Sequence, residues 1–275
     1  MHANVNNPVK LMVLADFGDR VTSQNGEDGI LLAILDEVGA RSRRCVELCA
    51  GTGVQSNTAN LIRNHGFSGV LFDGNEEAVR VCARFFAGQP RATPVCAWIT
   101  RENVAELIQK HVPDPDVDVL SLDMDGVDFW ILRQVLRSGA LRPRVMVVEY
   151  QDIIGWEAAL TVPYSPTFNG WVTDSVGGPN YCGASLAAFV HLLRHDYAFV
   201  GSEACGFNAF FVLRSELPDT QTNPTKNNIK EVHDLASVFA SPKVREGHTS
   251  RWPRVQHLHW VDVTKLADDQ VVLCE

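Results

Sequence analysis

The strongest constraint on the fold is a rhythm between Arg44 and Tyr150. Short apolar runs, "CVELC", "GVLFD", "ATPVCAW", "VDVLSL" and "RVMVVEY", alternate with amphipathic stretches of helical spacing. Most of the runs are apolar on consecutive positions, as a strand buried on both faces requires, and turns containing glycine or polar residues separate them. Five strands with intervening helices predict an α/β, doubly wound parallel sheet covered on both sides. A helix over 27–38 precedes the series: Ile30, Leu31, Ile34, Leu35 and Val38 share one face, and Gly39 ends it.

After Tyr150 the rhythm breaks. Residues 151–182 are rich in proline, glycine and aromatics without a clear period, and read as an insertion after the fifth strand that shapes a site. "GASLAAFVHLLRHD" then predicts a helix, and "YAFVGSEACGFNAFFVL" predicts two adjacent strands around Gly206, which gives about seven strands with the last antiparallel. Beyond Leu213 the pattern weakens. "PDTQTNPTKNNIK" is a polar loop, and "WPRVQHLHWVDV" is amphipathic but too short to classify. The expected organisation is one domain over 1–215, including the 151–182 insertion, followed by a C-terminal extension over 216–275.

Composition narrows the partners. No apolar run approaches the roughly 18 residues of a membrane span, and "MHANVNNPVK" lacks the layout of a signal peptide, so a soluble cytoplasmic chain with no membrane partner is expected. Seven cysteines, Cys274 among them, without a CxxC pair suggest a reduced compartment and no structural zinc. A net charge of -9 disfavours nucleic acid, whose binding needs clustered cations, and points instead to a small ligand.

The chemistry-bearing motifs sit at the ends of the predicted strands. In "VELCAGTG", Gly51 and Gly53 supply a turn between a buried strand and a helix, which lets backbone N–H groups approach a ligand. Asp73 in "LFDGN", at the end of the next strand, is placed to accept from both hydroxyls of a ribose; the plainer alternative is that it caps the following helix.

Together, "SQNGEDG", "VELCAGTGVQSNTANL", "GVLFDGN" and "DVLSLDMDG" resemble the FkbM-type class I S-adenosylmethionine-dependent methyltransferases, over roughly Asp16 to Leu213. Cys49 departs from the glycine that many methyltransferases carry at the start of the loop, which argues against very close backbone approach there. The resemblance implies that Glu47, Gly51 and Gly53 line the methionine end of S-adenosylmethionine, and that Asp73, with Gly74 beside it, holds the ribose. It implies further that Ala97 and Trp98 lie near adenine, that Asp123 faces the sulfonium or amino group, and that Gln24 and Glu27 help cover the cofactor. Acidic strand ends suit a ligand that carries a sulfonium and an ammonium.

The string "DMDG" also resembles the DxDG motif of haloacid dehalogenase-like phosphatases. That motif opens its own fold, whereas four strand–helix units precede it here. The plain reading of "SLDMDGVDFWIL" makes Asp125 a helix N-cap and Asp128 a first-turn acid. A metal-assisted variant would place Mg²⁺ on Asp125, Glu149 and Asp152. On the acceptor side, Asp125, Tyr150 and Asp152 are the candidate catalytic residues; Tyr164, Asn180 and Tyr181 stand nearby, and Tyr164, Tyr181 and Trp171 are equally readable as packing residues. The expected function is methylation of a small molecule, on oxygen first and nitrogen next, with homo-oligomerisation possible through the tail. The same cofactor half would also serve a cyclisation or a catalytically silent nucleoside-binding module.

Overall fold

The computed structural model describes residues 14–170, 180–217 and 229–266. Trp171 and Cys274 lie outside them. Nine strands occur among the described residues: β1 (Arg44–Leu48), β2 (Ser68–Asp73), β3 (Ala92–Cys96), β4 (Val119–Leu122), β5 (Val145–Glu149), β6 (Leu160–Thr161), β7 (Tyr197–Ser202), β8 (Asn208–Leu213) and β9 (Val261–Asp262). The helices are α1 (Glu27–Val38), α2 (Ala59–Asn64), α3 (Glu76–Phe85), α4 (Val104–His111), α5 (Asp128–Arg137), α6 (Leu186–Leu193), α7 (Pro242–Ser250) and α8 (Trp252–Val255).

Seven strands form one sheet in the order β3-β2-β1-β4-β5-β8-β7. β1 pairs in parallel with both β2 and β4, so the chain runs outward to β3 and returns to the other side of β1. β8 is antiparallel to both β5 and β7. This is the expected doubly wound α/β sheet of seven strands, with an insertion after β5 and an extension after β8. The reversal of direction beside β1 opens a crevice at the carboxyl ends of β1 and β4, where ligands of open α/β sheets bind.

Alternation along each strand divides the core. Met146 and Val148 of β5 join one buried cluster with Phe72, Leu120 and Trp130; Val145 and Val147 join the other with Ile30, Ile34 and Ile62. Each such side chain contributes roughly 1.5–3 kcal/mol when removed from water, so the sheet is a rigid platform for its own edge. No helix among the described residues is long and apolar enough to cross a membrane.

The extension is more ordered than its sequence suggests. α7 opens with Pro242 and lies against the short 3-10 turn Asp152–Ile154 that begins the insertion. His248 Nδ1 is 2.7 Å from the Ile153 carbonyl, and β9 pairs antiparallel with β6, Leu160 facing Asp262 and Thr161 facing Val261. Tyr181 donates its hydroxyl to the His259 carbonyl and packs edge-on against Trp260. Insertion and extension are thereby tied into one layer beside β5.

Candidate functional site

The loop after β1 is organised by Glu47. Its buried carboxylate accepts from the Ser56 hydroxyl at 2.5 Å, the Asn57 N–H at 2.9 Å, and the Thr58 N–H and hydroxyl at 3.0 and 2.5 Å. Asn57 in turn donates to Ser121 of β4 at 3.1 Å. Glu47 therefore fixes the start of α2, and its oxygens face the protein.

Asp73 joins the two turns that flank the cavity. It accepts from the Gly51 N–H at 2.8 Å and from the Asn75 N–H at 2.7 Å. Gly51 has φ +55, and a Cβ placed on it would meet nothing within 4 Å, so the backbone there is open to a ligand. A Cβ on Gly53 would instead stand 2.9 Å from the Phe86 ring and 3.0 Å from Cys82 Sγ, so this glycine serves packing against α3. Cys49 adopts φ +64, a left-handed conformation that glycine reaches without strain.

At the end of β4 three aspartates take three different positions. Asp128 opens α5 and turns its buried carboxylate back onto the Met124 N–H at 2.8 Å and the Gly126 N–H at 3.0 Å, closing the turn; burial pushes its carboxyl up to about 6. The N-cap position belongs to Val127 and not to Asp125. Asp125 sits in the turn with φ +50. The parallel register pairs Leu122 with Val148, so Asp123 and Glu149 leave the ladder side by side. Carboxylate oxygens of Asp123, Asp125 and Glu149 lie within 4.8 Å of one another.

Burial pushes Asp123 up to about 7, opposed by its hydrogen bond with Glu149. Burial, then the charge of Asp123, pushes Glu149 well above the usual carboxylate range. Both carboxyls are therefore harder to ionise than free ones.

The turn that follows β4 floors a cavity of about 510 Å³. Cys49, Gly51, Asp73, Gly74 and Asn75 line one side, Asp123, Met124, Asp125, Gly126 and Val127 the floor, Trp98 and Ile99 the rim, and Ser165, Pro166, Phe168 and Asn169 the far wall. Trp98 is half exposed and donates its indole N–H to the Pro166 carbonyl at 2.9 Å, linking the edge beyond β3 to the insertion. Tyr164 anchors that wall: its hydroxyl donates to Glu102 at 2.5 Å and accepts from the Arg101 N–H at 2.9 Å, with the Arg101 guanidinium 4.2 Å from the ring centroid. The wall meets the floor at Gly170, where a Cβ would fall 2.2 Å from the Asp125 carbonyl oxygen.

The cavity brings together six of the expected residues: Gly51, Asp73, Gly74, Trp98, Asp123 and Asp125. Glu47 and Gly53 lie behind it in supporting roles. Ala97 follows the end of β3, which stops two residues before the expected end at Trp98, and donates its N–H to the Asp73 carbonyl at 2.9 Å. Gln24 bonds Gln55 at 3.0 Å, and fully buried Glu27 accepts from the Asn25 N–H and the Asn208 amide at 2.8 and 2.9 Å; neither lines the cavity. The two acceptor-side candidates after β5 also point elsewhere. Buried Tyr150 packs toward Phe239, and buried Asp152 pairs with Arg251 at 2.6 Å, so the Asp125, Glu149 and Asp152 group expected around Mg²⁺ does not assemble.

Ile99, Asn75 and the insertion residues Phe168 and Asn169 line the cavity and were not among the expected set. Glu149 was expected only as a Mg²⁺ ligand beside Asp125 and Asp152, and its oxygens instead group with those of Asp123 and Asp125. Phe168 and Asn169 carry no periodic signal.

No family model matches the sequence, and no curated protein matches it. Among solved structures the chain is similar to an O-methyltransferase from Bacillus cereus in complex with SAH, at 15% identity over 73% of this chain and 86% of that one, TM-score 0.45. It is similar to the N-terminal domain of EvdMO1 with SAH bound, at 15% identity over 70% and 80%, TM-score 0.40. A SAM-dependent methyltransferase from Aquifex aeolicus gives 11% identity over 66% and 88%, TM-score 0.38. The fold assignment rests on the strand order of the sheet itself.

Proposed function

We propose that the chain is an S-adenosylmethionine-dependent methyltransferase of the FkbM type that acts on a small-molecule acceptor, with oxygen as the methylated atom and nitrogen next. The observation that carries this is the acidic cavity at the β1/β4 crevice: Asp73, Asp123 and Asp125 line it, and no lysine, arginine or histidine does so among the described residues. Such a lining suits a ligand with a sulfonium and an ammonium and repels phosphate-rich ones. Asp73 retains lone pairs for ribose hydroxyls beyond its two backbone partners, the turn at Gly51 has no side chain to block a ligand, and the Trp98 ring stands at the rim for an adenine face. Bound there, the cofactor would supply an activated methyl group. Asp125 is the acceptor-side carboxylate, and the wall from Ser165 to Asn169 orients the acceptor.

In this proposal residues 1–215 form the cofactor-binding unit, and 216–275 brace the insertion that completes the acceptor side. Calorimetric titration with S-adenosylhomocysteine tests the central claim. Binding by the intact protein that Asp73→Ala abolishes supports it, and no binding by the intact protein overturns it. Mass spectrometry of cofactor turnover with candidate acceptors then separates an enzyme from a silent binding module.

A further inference from the structure

One ring reaches across the acidic cavity from its rim to its far wall. Trp98 stands just beyond β3, and its backbone is pinned there: its carbonyl accepts from the Asn103 amide at 2.9 Å, and the Asn103 oxygen accepts from the Thr100 N–H at 2.8 Å. The side chain is held differently. It passes over the β2–α3 turn, where a Cβ on Gly74 would fall 2.7 Å from ring atom Cε3 and 3.4 Å from Cζ3. Its indole N–H then meets the Pro166 carbonyl of the insertion at 2.9 Å. Trp98, Gly74 and Pro166 all line the cavity, and Trp98 is 50% exposed, which leaves the ring room to turn outward.

The two sides that the ring joins are anchored without it. The wall is fixed at one end by Tyr164, bonded to Glu102 and the Arg101 N–H, and at the other by Gly170, packed on the Asp125 carbonyl. The turn beneath the ring is fixed by Asp73, which accepts from the Gly51 and Asn75 N–H groups, and by Asn75, which caps α3 through the Glu77 and Ala78 N–H groups. Between them runs one neutral hydrogen bond, carried on a side chain with two rotatable bonds. Gly74 is not among the glycines at positive φ, so its missing side chain serves space and not backbone conformation: it is the seat of the ring.

We infer that Trp98 is a strap across the mouth of the cavity, seated on Gly74 and latched on Pro166, and that a nucleoside-sized ligand passes when the indole lets go. The inference rests on the cofactor proposed above and adds the step that limits its arrival and departure. A strap differs from an ordinary contact in what it does to rates. A side chain that only touches the bound ligand slows departure, and its loss raises the dissociation rate alone. A strap slows passage in both directions, so its loss raises both rates and moves Kd less than either.

Surface plasmon resonance of the immobilised full chain with S-adenosylhomocysteine reads both rates. Trp98→Phe keeps an aromatic face and removes the latch; Gly74→Ala keeps the tryptophan and unseats its ring. Each substitution should raise association and dissociation by about two- to tenfold, the range that one neutral hydrogen bond sets, with a smaller change in Kd. A rise confined to dissociation, or rates equal to the parent's in both variants, overturns the strap and leaves the cofactor in place. Should Trp98→Phe fail to fold, Gly74→Ala decides alone. Absence of binding by the unsubstituted protein overturns the cofactor reading, and the strap with it.

Discussion

The Arg251 guanidinium lies 2.6 Å from the Asp152 carboxylate, joining the turn that starts the insertion to the end of α7 across 99 residues of sequence. Asp152 is buried and pushed up to about 6 by that burial, with the Arg251 charge opposing the shift. Arg251→Ala strands the carboxylate. Because Arg251 is 37% exposed, the expected loss in urea unfolding is about 1–2 kcal/mol, below the figure for a fully buried pair. Asp152→Asn should cost less, since it leaves no buried charge behind.

Asp128 closes the turn that presents Asp123 and Asp125. In Asp128→Ala the Met124 and Gly126 N–H groups lose their acceptor, and a loss of about 2–4 kcal/mol is expected. Asp128→Asn retains one carbonyl oxygen and should lose about half as much. Chemical denaturation of both variants, read with equal slopes, checks the ratio.

Stability should carry the signature of carboxyls raised by folding. Asp123, Glu149 and Asp128 bind protons more tightly in the folded chain than in the unfolded one. Their contribution is complete below the ordinary carboxylate range of about 4 and is lost as pH rises through their folded values, because the unfolded chain ionises first. Relative to the parent, Glu149→Gln should therefore gain stability as pH rises from about 5 to 8. Melting temperatures of the two proteins in the absence of ligand, compared across that window, decide it; a difference that stays flat or runs the other way rejects a raised Glu149 carboxyl.

Trp98 holds the rim to the wall through a single indole hydrogen bond to Pro166. Trp98→Phe keeps an aromatic face and removes that bond, at an expected cost of about 0.5–1.5 kcal/mol to local closure. Hydrogen exchange or limited proteolysis should speed up over Ser165–Gly170, while the exchange of β1 and β4 stays at parental rates.

Much of the sheet was readable in advance because its signal is local. Runs such as "RVMVVEY" are apolar wherever they are buried on both faces, and α1 fell where its spacing put it. The glycine turn, Asp73 and Asp123 were readable for the same reason, since strand ends have fixed positions in this topology. Misread residues share a different cause: a carboxylate in sequence does not reveal which backbone N–H groups it meets. Glu47 looks like a ligand-facing acid until the returning loop is seen, and Asp128, the first-turn acid its position predicts, hides its two backbone partners in the same way. Tyr150 and Asp152 were assigned to the cavity because they follow β5, but α7 covers that end. α7 could not be anticipated from period, since only Val244 and Gly247 of its nine residues are buried.

The two-residue ladder between β6 and β9 also sets an order of events. Leu160 and Thr161 wait for partners roughly a hundred positions later in the chain. The ladder from β3 to β5 is complete in sequence well before them, so a chain emerging from the ribosome can assemble the acidic crevice first and must leave the acceptor wall without its brace until residue 262 has been made. During that interval the nascent protein has its acidic crevice but not the braced wall that faces it, a built-in delay between the two halves of the cavity.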